Sequence, residues 1–194
     1  YEGVKQTLTQ PALLSLVYDA DRNKRRSAQE CLYGELSRHE LIYPSVAPVA
    51  ARPNGDQAIF VAGNNAANYI SVRWFLKYIV PHVPDMSISI FGDIADGVKK
   101  RDRALYEKHR NLFRGRIADK ESAYADAAII LLPTREGHGL SIKTVEALSS
   151  GLPVIATSKA FRGMEIDPSR LANVFIADDA NEFAAAMLQS RVIG

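Results

Sequence analysis

Cysteine is almost missing from this chain of 194 residues: Cys31 stands alone, so no internal disulfide can form, and no Cys/His cluster has zinc spacing. A reducing, cytosolic setting is the expectation that follows. Long apolar runs are missing too. The longest, Ala127 to Pro133, is far shorter than the roughly 20 residues a bilayer crossing needs. Charge of one sign is not in surplus: 24 Lys and Arg against 22 Asp and Glu leave +2, too little to argue for a nucleic-acid partner. No basic start followed by an apolar stretch opens the chain, which begins at Tyr1 rather than Met. The expectation is a soluble piece of a longer protein without a secretory signal.

What is present is ordinary globular material, 47% hydrophobic and 24% charged. A domain of this size buries roughly 70% of its unfolded surface and needs no covalent staple. From Ala58 onward six short apolar runs alternate with amphipathic stretches: 58–63, 87–91, 112–115, 127–133, 153–157 and 173–177. Between the first two, Val72, Phe75, Leu76 and Ile79 fall at helical spacing. Such alternation predicts an α/β fold, a Rossmann-like, doubly wound parallel sheet of about six strands. "IILL" and "VIA" are apolar throughout, as central strands covered on both faces are. Ligands of such sheets bind beyond the carboxyl ends of the strands, so the loops after residues 63, 92, 115, 133 and 157 form the functional rim.

The beginning of the chain differs in character. Residues 44–57, with three prolines, read as an extended connector. Residues 1–43 read as a helical segment, with Pro11 at a first helical position and a Ser27/Glu30 capping box ahead of Cys31, Leu32 and Leu36. This segment is expected to pack against a domain upstream, leaving 58–194 as the sheet domain. The basic run "RNKRR" at 22–26 reads as a solvated turn.

One stretch carries the chemistry: "TREGHGLSIKTVEALSSGLPVIAT", 134–157. A buried strand ends, glycines around His138 allow close backbone approach, and a helix starts near Ser141 and stops at Gly151, a suitable left-handed cap. Amides near Leu140 and Ser141 then face outward at the ligand edge of the sheet, an anion site for which phosphate is the natural guest. Lys143 and Glu146 lie three apart, about 60° around the helix axis. A lysine there neutralises phosphate and a glutamate one turn deeper accepts from a ribose diol. The alternative is an i,i+3 surface ion pair worth about 0.2–0.5 kcal/mol.

"EGHGLSIKTVEALSSGLPVIAT" followed by "AFRGM" resembles the donor-binding signature of retaining GT-B glycosyltransferases of group 1, similar to family 4. "IFVAGNNAANYISVRWFLKYIVPHVPDMSISIFGD" and "NLFRGRIADKESAYADAAIILLPT" resemble two further blocks of the same C-terminal domain, so the likeness runs in register from about 58 to 190. It implies one half of a GT-B fold that binds a UDP- or GDP-sugar and transfers the sugar, with retention, to an acceptor glycan or lipid-linked glycan held by a missing N-terminal domain. This half alone would not turn over. The family usually has two glutamates eight apart; eight before Glu146 stands His138, and Glu136 is two residues out of step. The chain instead resembles a subgroup with "G-x-G-x-x-x-K-x-x-E". The resemblance makes Glu146 the ribose ligand, Lys143 the catalytic cation at the diphosphate, and either His138 or Glu136 the donor-sugar contact.

By the same resemblance Gly137 belongs to the donor loop, while Gly139, Leu140 and Ser141 give backbone donors to the diphosphate. Gly63 and Asn64 line the cleft, and Arg116 and Ile117 cradle the base through main-chain groups. The basic pair that many relatives place after the first strand has no counterpart in "GNNAANYIS". No metal is required and no cofactor other than the nucleotide-sugar substrate is implied. Within 58–190 no Asp-x-Asp motif occurs, and Asp93 and Asp96 have the wrong spacing. Bacterial polysaccharide or glycoconjugate synthesis in the cytoplasm, with peripheral membrane association through the missing domain, is the setting implied. The alternative from a different class is a non-catalytic nucleotide-sugar binding or regulatory module, ahead of a GT-B epimerase or phosphorylase.

Overall fold

The computed structural model describes residues 56–116, 124 and 126–190. The expected helical segment 1–43, nearly all of the connector, and Ile117 lie outside the described residues.

Six strands form one sheet: β1 (Gln57–Val61), β2 (Ile88–Phe91), β3 (Phe113–Gly115), β4 (Ala127–Leu132), β5 (Val154–Ala156) and β6 (Val174–Ile176). Every pairing is parallel and the order is β3-β2-β1-β4-β5-β6. Each expected strand is found, and most end one or two residues early because their last apolar positions already turn into the rim. The connecting helices are α1 (Ala66–Tyr78), α2 (Ile94–Arg101), α3 (Arg103–His109), α4 (Ile142–Ser149) and α5 (Ala180–Ser190).

Local chemistry sets the ends of the two helices that matter most. Asn65, in extended conformation, caps α1 by accepting from the Asn68 amide at 2.8 Å. The helix therefore starts six residues before Val72, where the apolar periodicity begins. Pro81 sits in the turn that follows and cannot continue it. At the other site, α4 ends at Gly151, whose φ of +69° is left-handed.

The core is two layers, one on each face of the sheet. Ala58, Phe60, Ile129, Leu131 and Ile155 pack with Val72, Phe75, Leu76 and Ile79, with Ile94 and Val98 of α2, and with Phe183 and Met187 of α5. Ile59, Ile130, Leu132, Val154 and Ala156 face the opposite way, against Ala147 of α4 and Phe161. This is the period-two alternation of a strand with both faces covered. Ala127 and Ile130 share a face despite their odd spacing, because the β1/β4 register slips: Gln57 faces Ala127 while Ala58 faces Ile129. A bulge absorbs one residue and resets the parity.

The strand order has one functional consequence. β1 and β4 are neighbours, yet β1 connects through α1 toward β2 and β4 connects through α4 toward β5. Their carboxyl-end loops diverge and leave a crevice, the topological switch point of such sheets. Among the described residues no helix is long and apolar enough to cross a membrane.

Phe75 is fully buried and meets Phe60 edge-on at 5.8 Å and Phe183 at 6.4 Å. Phe75→Ala is expected to lower unfolding free energy by about 3–5 kcal/mol in urea denaturation. Phe175, 42% exposed on the edge strand, is expected to change it by no more than about 0.5 kcal/mol as Phe175→Ala. Equal effects would show that the layer under α1 is not the core of the domain.

Candidate functional site

At the switch point lies a cavity of about 510 Å³, within the range of small-molecule sites. One wall is the start of α1, Asn65 to Asn68; the other is the loop after β4, with Thr134, Glu136, Gly137 and His138, running into Leu140, Ser141, Ile142 and Lys143. Arg162, from the loop after β5, completes the lining.

Helix α4 enters this space amino end first. Ser141, extended and 4% exposed, leads into it without a capping bond from its side chain. Thr144 and Val145 reach back to the Ser141 carbonyl. Among the described residues no hydrogen bond is made by the amides of Leu140, Ser141, Ile142 and Lys143. Donors without intrahelical partners, together with the helix dipole, make an anion site.

Lys143 holds the best-defined position in the cavity. Its ammonium donates to Asn68 Oδ1 at 2.7 Å, and the Asn68 amide in turn donates to the Gly63 carbonyl at 2.8 Å. One asparagine thus joins the loop after β1 to the cation on α4 across the crevice. The expected alternative, a surface ion pair between Lys143 and Glu146, is not what the structure shows. Burial and the nearby Arg162 charge pull the Lys143 pKa down to about 8, while Glu146 pulls it up. The hydrogen bond that holds the lysine is therefore to a neutral acceptor, which does not itself cancel the charge.

The loops on the β5 side are fastened from within. Thr144 Oγ1 donates to the Ala160 carbonyl at 2.7 Å and Thr157 Oγ1 to the Thr134 carbonyl at 2.5 Å. Arg162 follows directly, its guanidinium against Gly137. A Cβ at Gly137, whose φ is +153°, would stand 2.7 Å from the Arg162 Cζ. On the α1 side Ser71 Oγ accepts the Arg135 amide, and the Arg135 guanidinium lies 4.6 Å over the Trp74 ring.

Of the residues singled out in the sequence, Glu136, Gly137, His138, Leu140, Ser141 and Lys143 come together on the cavity wall. Gly63, Asn64, Gly139, Glu146 and Arg116 do not line it. Gly63 reaches it through Asn68. The Asn64 amide donates to Asp93 Oδ1 at 2.6 Å, and Asp93 also pairs with Arg116 at 2.9 Å. Those two contacts, the Arg116 one first, hold the Asp93 carboxyl below its ordinary value. The Arg116 side chain is 81% exposed and points its charge at Asp93 rather than at the cavity. Glu146 is only 6% exposed; it acts electrostatically on Lys143 and on buried Tyr124, whose hydroxyl is pushed up by burial first and by Glu146 second. Ile117 lies outside the described residues.

Asn68 and Arg162 are the two polar wall residues nearest the Lys143 charge that sequence reasoning missed. Both sit in quoted blocks, "GNNAANYIS" and "AFRGM", but nothing in either block shows that they meet Lys143. Among the described residues no group of three or more His, Cys, Asp or Glu is placed to hold a metal ion.

A family model described as Glycosyl transferases group 1 matches residues 56–190. No curated protein sequence matches. Seventeen solved chains share the fold. TarM is 15% identical with a TM-score of 0.60, over 88% of this chain and 35% of its own. The pneumococcal O-GlcNAc transferase GtfA, solved with UDP and GlcNAc, is 14% identical with a TM-score of 0.58, over 89% and 38%. The C-terminal domain of the group 1 family protein LpcC from Francisella tularensis is 17% identical with a TM-score of 0.50, over 76% and 83%. At these identities the structural likeness establishes the fold, and the chain spans little more than a third of TarM or GtfA. The family match covers most of the chain and coincides with the described sheet domain, so this chain belongs to the group 1 glycosyl transferases.

Proposed function

We propose that this chain is the nucleotide-sugar donor half of a retaining glycosyltransferase that moves a hexose from a UDP- or GDP-sugar to an acceptor hydroxyl on a glycan or lipid-linked glycan. The observation that carries the reading is the cavity at the β1/β4 switch point, lined by the first turn of α4 and by Lys143, whose ammonium is held by the neutral side chain of Asn68. In such a transfer the leaving group is a nucleoside diphosphate. Negative charge grows on its β-phosphate as the glycosidic bond breaks, and fixed donors stabilise it without having to reorganise. GtfA, a structural neighbour of 14% identity, was solved with UDP and GlcNAc, a nucleoside diphosphate and a sugar of the class proposed here.

Within this reading the amides of Leu140 and Ser141 and the Lys143 ammonium hold the diphosphate, with Gly139 keeping the backbone close. Gly63 and Asn64 keep the loop after β1 in place, and Arg116 with Ile117 borders the base. Glu146, one turn deeper on α4, takes the ribose diol once Lys143 has turned toward phosphate. His138 and Glu136, both exposed on the cavity wall, are the two groups within reach of the sugar. The acceptor half, lipid-proximal acceptors and a cytoplasmic setting at the inner face of a membrane complete the proposal.

Calorimetric titration of UDP, GDP and ADP into the chain tests it. At least one diphosphate is expected to bind, and Lys143→Ala to weaken it by about 10–100-fold while changing the matching nucleoside little. Glu146→Gln is expected to weaken ribonucleotides more than deoxyribonucleotides. Binding of all three diphosphates at the same affinity by all three proteins would sink the assignment.

The pH dependence has a definite sign. A Lys143 pKa lowered to about 8 means the charged form, which the diphosphate selects, is lost as pH rises through that value. Affinity is expected to fall between pH 7.5 and about 9, with proton uptake on binding in that window. Lys143→Arg is expected to remove the fall, because a guanidinium does not titrate there. A flat profile from pH 7 to 9.5 in the unmodified chain would count against Lys143 as the diphosphate cation.

A further inference from the structure

We infer that Arg162, delivered by the loop after β5, is the second diphosphate cation of this site and supplies the charge that the loop after β1 does not carry. The inference rests on the donor-site reading above and adds a residue to it.

A nucleoside diphosphate brings two or more negative charges, and Lys143 answers one. The loop after β1, from Gly63 to Ser71, has no lysine or arginine. Three other cations of the carboxyl rim are already committed. Arg116 pairs with Asp93, Arg101 donates to Asn64 and the Gly97 carbonyl, and Arg135 stacks on Trp74 and donates to the Asp178 carbonyl. Arg162 is different. It lines the same cavity as Lys143, its Nε is buried without a hydrogen-bond partner, and its one side-chain hydrogen bond among the described residues is a 3.3 Å bond from Nη1 to the Lys159 carbonyl. No ion pair to it exists among the described residues.

Arg162 and Lys143 bring like charges to one cavity and raise each other's energy, while Glu146 acts on Lys143 in the opposite sense and Glu136 stands exposed on the same wall. The Arg162 charge is indeed one of the two influences that depress Lys143. That arrangement is unfavourable in the empty domain and is relieved by a ligand carrying the opposite charge on adjacent groups. Arginine suits the task better than lysine, since its planar fork spans two phosphate oxygens. The fold also reserves room for it. Gly137 lies flat against the guanidinium, and any Cβ there would collide with Arg162 Cζ, Nη2 and Nε. The anchors Thr144 to Ala160 and Thr157 to Thr134 hold the loop that carries it. Glycine at 137, which its φ of +153° already favours, leaves that face open to the guanidinium.

The test is calorimetry on the full chain with UDP and GDP, then with the monophosphate and nucleoside of whichever base binds, for the unmodified chain, Arg162→Gln and Arg162→Lys. Thermal melting of each variant reports folding. Arg162→Gln is expected to weaken the diphosphate about tenfold or more, the monophosphate clearly less, and the nucleoside not at all, with Arg162→Lys between. In Arg162→Gln the alkaline fall in diphosphate affinity is also expected at higher pH, because the neighbour that depresses Lys143 is gone. If Arg162→Gln does not fold, Arg162→Lys keeps the test open: a loss confined to the diphosphate supports the inference. Equal loss for all three ligands, or none, overturns it while leaving the donor site standing. Failure of the unmodified chain to bind either diphosphate overturns the donor-site reading itself, and the inference with it.

Discussion

The arrangement of this site depends on one neutral contact, the bond from the Lys143 ammonium to the Asn68 side-chain oxygen. β1 and β4 lie side by side but send their chains in opposite directions, so the rim opens where they part. An open crevice does not by itself bring a cation on α4 within reach of the loop after β1. Asn68 does so because its amide is tied to the Gly63 carbonyl and its oxygen faces the lysine. A carboxylate in the same place would hold Lys143 more strongly but would cancel its charge. A neutral oxygen satisfies one ammonium proton without adding a counter-charge of its own.

A second layer of ordinary hydrogen bonds makes that contact reproducible. Asn65 caps α1 and thereby fixes Asn68 one turn in, and Ser71 on the following turn receives the amide of Arg135. Thr144 and Thr157 lock the loops after β4 and β5 to one another. These side chains touch no cavity charge directly. They fix the entry angle of α4, and with it the direction of the amides in its first turn.

The fold was legible because its signals are local. Each strand is a run of consecutive apolar residues, and the helix between the first two shows Val72, Phe75, Leu76 and Ile79 at a spacing that only a helix puts on one face. Its first turn was less legible, since Asn65 and Asn68 carry no periodicity and act through a cap. The bulge that places Ala127 and Ile130 on one face is set by pairing with β1 and has no mark in the strand's own residues. Lys143 could be singled out because it lies just inside a helix start beyond a glycine loop. Its partner Asn68 could not, because 75 residues separate them and only the adjacency of β1 and β4 closes the distance. Arg162 was hidden for a related reason: its course depends on threonine bonds to backbone carbonyls, which sequence spacing does not encode. The family resemblance covered the blocks that hold both residues without naming either one.

The Gly137 conformation has a consequence for how this domain can drift in sequence. Its φ of +153° is one that residues bearing a Cβ rarely adopt, so position 137 favours glycine whether or not the arginine stays. The guanidinium of Arg162, 25 positions on, lies where a Cβ would stand and is a second, softer obstacle. Any lineage that filled the glycine would strain the backbone at the mouth of the cavity first and displace a flexible side chain second.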